Sequence, residues 1–201
     1  MSIVSYKEKL MVTEQITRDR IMDEAMAHLL QFGYRKMRMD EVAQGLTMSK
    51  NTIYRHFPSK MDLTKEIFAR FKQRIDKGFD RIDQTSKTPE ERIFRSAFFI
   101  QQQLNPWRRR CLGDIQVEVP ELYESIMSFR NDKFGGIKKV IKQGIKSGRF
   151  RNIDPDIAVN MYLGAVDRIL SADFLQEKNI SFPDALEAVT DIWICGIKNK
   201  E

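Results

Sequence analysis

Two cysteines, two histidines and six prolines are all that this 201-residue chain offers of the residues that most often make disulfides, bind metals, move protons or break helices. Cys111 and Cys195 lie far apart and match neither a metal-ligand spacing nor a disulfide framework, so both are expected as buried, reduced thiols. Both histidines fall within the first 56 residues, and no GxSxG, HExxH, CxxC or phosphate-cradling glycine loop occurs. No catalytic residue, cofactor or metal site is therefore expected. No apolar run approaches the roughly 18 residues that a bilayer crossing needs. Residues 1–9 contain only Ile3, Val4 and Tyr6 as apolar side chains before charges intervene, so the apolar centre of a secretory leader is missing and a cytoplasmic location is expected. Strand-like alternation bounded by hairpin dipeptides is also absent.

What remains is helical. Hydrophobic residues make up 42% of the chain and charged residues 31%, the balance of a globular protein rather than a disordered one. The net charge of +6 favours anionic partners only weakly. Residues 1–60 hold ten Lys and Arg against seven Asp and Glu, and the remainder holds 24 against 21, so neither part is a dedicated basic arm. Pro58, Pro89, Pro106, Pro120, Pro155 and Pro183 punctuate the pattern, because proline fits a helix's first turn but not its interior. Between them the apolar spacing predicts helices over 17–32, 39–44, 50–57, 59–82, 89–104, 111–117, 120–147, 155–177 and 183–198. The starts are marked by Ser49, Ser59, Thr88 and Asp154 as caps, and Glu91 completes a capping box with Thr88. Gly33 reads as the left-handed stop of the first helix.

The two short segments, 39–44 and 50–57, are too short to be stable alone. Flanked by the helices at 17–32 and 59–82, they form the plan of a compact head that presents its second short helix to the major groove. A period of 3.6 turns Ile53 and Phe57 inward and leaves Lys50, Asn51, Tyr54, Arg55 and part of Thr52 outward. Ser49 caps this helix, leaving its free N–H groups for a phosphate. Lys50 can donate to guanine O6 and N7, Asn51 can pair with adenine N6 and N7, and the Thr52 methyl can meet a thymine methyl. Tyr54, Arg55 and His56 suit phosphates or further base edges, and Lys60 in the next helix suits a phosphate clamp.

Thr17 to Ala25, Phe32-Gly33-Tyr34, Met39-Asp40-Glu41-Val42-Ala43 and, above all, Ser49-Lys50-Asn51-Thr52-Ile53-Tyr54-Arg55-His56-Phe57-Pro58-Ser59-Lys60 resemble the DNA-binding head of TetR-type transcriptional regulators. The resemblance covers about residues 16–70. It implies an all-α chain with a three-helix DNA-binding head, residues 1–60, and a helical ligand-binding and dimerisation domain, residues 61–201. It also implies base or phosphate contacts from Lys50, Asn51, Thr52, Tyr54, His56 and Lys60, double-stranded operator DNA as a partner, and a second copy of the chain as another. Two positions depart from the family pattern. Thr47 stands where the turn glycine usually falls, and Arg38 stands where a Ser or Thr cap is usual, which makes Arg38 a further candidate for a phosphate contact.

Residues 83–201 carry no motif of comparable sharpness. The helices at 155–177 and 183–198 are apolar on more than one face and need cover on both sides. The resemblance implies a four-helix dimer interface there, for which Met161, Val166, Ile169, Leu170, Val189, Ile192 and Trp193 are the candidate residues. Phe94, Phe98, Phe99, Trp107, Tyr123, Met127 and Phe134 are candidates for lining a site for a small, largely apolar effector. The rival functional reading is a DNA-binding architectural or division-linked factor that uses the same head without a ligand. An enclosed apolar pocket would favour the first reading and a filled second domain the other.

Overall fold

The computed structural model describes residues 3–104, 109–169 and 172–199, with the backbone alone described at residues 3–10, 101, 104, 109, 110, 134 and 172. Among the described residues ten helices follow in order: α1 Ile3–Phe32, α2 Met39–Gly45, α3 Lys50–His56, α4 Lys60–Thr85, α5 Pro89–Leu104, α6 Arg109–Glu118, α7 Pro120–Lys146, α8 Pro155–Ile169, α9 Ala172–Lys178 and α10 Phe182–Ile197. Among the described residues the only extended pairing is an isolated antiparallel bridge between Phe150 and Lys198. No described helix is long and apolar enough to cross a membrane.

The expected caps form. Ser59 Oγ accepts the Asp62 N–H at 3.1 Å, Asp154 Oδ1 accepts the Asp156 N–H at 2.7 Å, and Thr88 Oγ1 accepts the Glu91 N–H at 3.1 Å. Glu91 reaches back to the N–H of Lys87, one residue before the cap, at 2.9 Å. That bond is the first cause of a Glu91 pKa below the usual carboxylate value. Gly33 ends α1 with φ 87°.

The first helix departs most from expectation, beginning at Ile3 rather than Thr17. Nothing in residues 3–16 opposes a helix, since neither Gly nor Pro occurs there. Met11, Val12 and Ile16 are exposed, however, so no buried stripe marks the segment in the apolar pattern. The expected helix 155–177 is described as α8 and α9, with residues 170 and 171 outside the described set.

The chain divides into two compact units: Met1–Gln73 with Pro106–Ser125, and Arg74–Asn105 with Ile126–Glu201. In the first unit, Ile21, Ala25 and Leu29 of α1 are buried, as are Val42 of α2, Ile53 of α3 and Leu63 and Ile67 of α4. Cys111, Ile115 and Val119 on or beside α6 are buried too. Burial, with Asp114 adding to it, pushes the Cys111 thiol up to about 12, leaving it an inert core group. Cys195, expected buried, is instead exposed on α10, because its neighbours Trp193, Ile194 and Ile197 occupy the inward face.

The second unit is built around Ile93, Val140, Ile141, Phe150, Ala158, Val159, Tyr162, Val189, Trp193, Ile194 and Ile197. After α7, Gly148 turns the chain with φ 73°. Phe150 then folds back onto α7, and Arg151 N–H donates to the Ile197 carbonyl at 2.9 Å. A Cβ at Gly144 would lie 2.1 Å from the Phe150 ring, so this close approach requires glycine. Gly144→Ala is expected to lower stability by about 1–3 kcal/mol through overpacking, read as a lower midpoint in urea unfolding at unchanged slope.

Candidate nucleic-acid interface

Arg38 precedes α2 in an extended conformation and makes no side-chain cap bond, as its type dictates. Its side chain is exposed. At the end of α2, Thr47 N–H donates to the Gln44 carbonyl at 3.0 Å and Met48 N–H to the Ala43 carbonyl at 2.9 Å. This closure puts Thr47 at φ 55°, the left-handed region that a β-branched residue adopts only under strain. Threonine thus holds the left-handed position here, where the resemblance implies a glycine. At Gly45 a Cβ would come within 2.2 Å of the Glu24 carboxylate on α1, a contact that this flexible side chain can relieve by moving.

Ser49 caps α3, its hydroxyl accepting the Thr52 N–H at 3.1 Å and lying 2.9 Å from the Thr52 hydroxyl. Ile53 and Phe57 are buried, which fixes the rotation of this seven-residue helix. Lys50, Asn51, Tyr54 and Arg55 are exposed, while Thr52 and His56 are half-buried. Lys50, Asn51, Tyr54 and Arg55 therefore stand on the solvent side of α3.

Several of its cations are already engaged. Lys50 Nζ pairs with the Asp40 carboxylate in the first turn of α2. Lys60 Nζ sits 4.3 Å from the centroid of the Tyr34 ring and donates to the Arg35 carbonyl at 3.4 Å. Burial lowers the Lys60 pKa, against the opposing pull of Glu118 and Asp114. Burial and then the nearby Arg55 and Arg18 lower the His56 pKa, with Glu14 acting in the other direction. The folded state thus resists protonation of His56, so its contribution is intact above the ordinary value of 6.5 and is lost as pH falls below it.

Four side chains that sequence spacing did not mark hold this surface. Arg18 of α1 donates to the His56 carbonyl at 2.8 Å, lies 4.4 Å over the Phe57 ring and approaches Glu66 at 3.7 Å, tying α1, α3 and α4 together. Asp40 neutralises Lys50. Asp114 and Glu118 of α6 hold Arg35, the first through its backbone N–H and the second through its guanidinium, both at 3.0 Å. These partners are many residues apart, and only the tertiary fold brings them together.

The other candidates fall into distinct places. Phe94, Phe98 and Phe99 line one open concavity in the second unit. Tyr123 and Met127 are half-buried on α7 and do not line it. Trp107, Leu170 and the side chain of Phe134 lie outside the described residues. Met161 and Ile192 are 54% and 74% exposed, and Val166 and Ile169 are partly buried against the core. Val189 and Trp193 are corrections to the interface set. Both are core residues of their own chain: Trp193 Nε1 donates to the Ala158 carbonyl at 2.9 Å, and its ring packs on Tyr162 at 4.8 Å between centroids.

A helix-turn-helix with a capped, outward-facing second helix on a helical scaffold defines a DNA-binding regulator. Residues 21–67 match the model of the tetR family of bacterial regulatory proteins. An uncharacterized HTH-type transcriptional regulator of Bacillus subtilis, YvaF, is 21% identical over 185 residues, which cover 90% of this chain and 96% of YvaF. The HTH-type transcriptional repressor KstR of Mycobacterium tuberculosis is 37% identical over 76 residues, 38% of this chain and 34% of KstR. Among solved structures, a putative transcriptional regulator from Saccharomonospora viridis in complex with choline superposes with a TM-score of 0.76 at 22% identity, covering 92% of this chain and all of that one. Residues 21–67 thus carry the DNA-binding head of the tetR family of bacterial regulatory proteins.

Because Thr47 bears the left-handed strain that glycine avoids, Thr47→Gly is expected to raise stability by about 0.5–1 kcal/mol, after allowing for glycine's greater chain entropy. Thermal unfolding of the purified chain would show this as a higher midpoint. A lower midpoint would mean that the Thr47 side chain holds the turn.

Proposed function

We propose that the chain is a repressor that binds a palindromic operator as a homodimer and is released by a small, largely apolar effector. The observation that carries the DNA half of this reading is the outer face of α3, where Lys50, Asn51 and Tyr54 stand exposed over a buried Ile53 and Phe57. Lys50, Asn51 and Thr52 read base edges, and Arg38, Tyr54, Arg55, His56 and Lys60 position the phosphate backbone, with Ser49 holding the helix start. Residues 1–60 then serve as the reading head and residues 61–201 as the effector and dimerisation part. Repression is supported by the KstR repressors, to which the chain is similar over less than half of their length.

Self-association is supported by the outer faces of α8 and α10. Ile157, Met161 and Ile192 are all more than half exposed. Gly164 and Gly196 are also exposed, and a Cβ at either would meet nothing within 4 Å, so a second backbone can approach closely. Exposed apolar residues beside bare backbone fit a partner helix better than they fit water. Two heads spaced by about 34–36 Å would address half-sites one DNA turn apart.

Selection of bound sites from random DNA tests the whole reading, with a two-fold symmetric site as the expected result. On that site, Lys50→Ala and Asn51→Ala are expected to cost about 1–3 kcal/mol each and to relax discrimination at individual bases. Lys60→Ala should weaken all sequences alike and reduce the salt slope by about 1. Undiminished binding by both α3 variants would remove the assignment. Met161→Glu combined with Ile192→Glu should yield a folded monomer in sedimentation velocity, since both side chains are exposed within the chain; a persistent dimer would place the interface elsewhere.

A further inference from the structure

On α5, Phe94 and Phe98 stand one turn apart and remain exposed, Phe98 by 52%. With Phe99 and with Ile82 of α4 they line an open concavity of about 280 Å³. Its base is set by Gly78, where a Cβ would lie 2.0 Å from the Phe99 ring, so that ring rests on the bare backbone of α4. Phe79 meets Phe99 edge-on at 5.8 Å between centroids.

Two guanidinium groups also line this space, and no carboxylate does. Arg95 is partly neutralised, lying 3.3 Å from Glu91 and 3.5 Å from the Ser86 hydroxyl. Nearby Asp83 is paired with Arg92. Arg81 has no ion-pair partner among the described residues. The concavity therefore combines an aromatic body with one uncompensated cation whose planar fork suits a carboxylate. Its volume falls at the small end of the range for ligand sites, enough for one ring or a short alkyl chain and too little for a fused polycycle.

We propose that this concavity binds a small organic carboxylate, with the carboxylate on Arg81 and an aromatic or short aliphatic body against Phe94, Phe98 and Phe99. The inference rests on the effector reading above and gives that effector a charge and a size. The same two arginines exclude a quaternary ammonium such as the choline held by the Saccharomonospora viridis regulator.

Calorimetric titration of the full-length chain with benzoate, phenylacetate and octanoate, and with benzyl alcohol and choline as comparators, tests the site directly. At least one carboxylate should saturate the protein at millimolar concentrations or below, benzyl alcohol should bind about tenfold or more weakly, and choline should not bind. Arg81→Gln should weaken the carboxylate about ten- to a hundredfold and leave benzyl alcohol unchanged, whereas Phe98→Ala should weaken both. Both side chains are exposed, and a thermal melt confirms that each variant is folded. Absence of saturation by every carboxylate, choline binding as tightly as benzoate, or an Arg81→Gln variant with undiminished carboxylate affinity would each overturn the proposal. Operator binding measured in parallel separates the two readings. Release of DNA by a carboxylate in wild type and in Arg81→Gln alike overturns this site and leaves the regulator intact. Carboxylate binding that depends on Arg81 yet never alters operator affinity supports the site and counts against its effector role.

Discussion

A helix of seven residues cannot hold itself together in water, and everything α3 presents outward depends on what it buries inward. Ile53 and Phe57 are its anchors, and the Arg18 guanidinium lies over the Phe57 ring while bonding the last carbonyl of the helix. That single arginine joins a buried aromatic, a helix end and an acid on α4, so the outer face of α3 is set by α1 and α4 together. The cap at Ser49 fixes where the helix begins, and the two buried side chains fix its rotation. Recognition geometry in this head is a consequence of core packing.

The charges on that face are not idle. Lys50 is matched by Asp40, Lys60 by the Tyr34 ring and the Arg35 carbonyl, and Arg35 by Asp114 and Glu118. On the proposed reading, a DNA phosphate that reached these cations would exchange one anion or ring for another. Exposed pairs of this kind contribute little to stability, so the exchange costs the fold little.

Much of this was legible in the order of residues, and the exceptions have physical causes. Ile21, Ala25 and Leu29 report a buried stripe, and Ser49, Thr88 and Asp154 report helix starts, because each effect is local. Residues 3–16 gave no such report, since a helix with exposed Met11 and Val12 has no core to face. The φ of Thr47 could be expected only from the position it occupies in the family pattern, because threonine itself argues against it. Trp193 and Ile192 are adjacent on a helix apolar all round, and periodicity could not say that one packs inward and the other stands free. The pairing of Asp40 with Lys50, or of Arg35 with α6, is a property of the assembled fold that no local spacing encodes.

The closure of the second core by Ile194 and Ile197 also has a consequence in time. The first unit has its last buried anchor at Leu122, whereas the second lacks its final anchors until residue 197 has been made. At synthesis rates of about 5–20 residues per second this separates the two events by about 4–15 seconds, during which Ile141, Phe150 and Tyr162 exist without the helix that covers them. The nascent chain therefore passes through an interval in which its head has every element it needs and its larger part is an incomplete, sticky intermediate. Premature termination just short of α10 would leave a protein of that kind, with the recognition helix intact on a body prone to chaperone capture and aggregation.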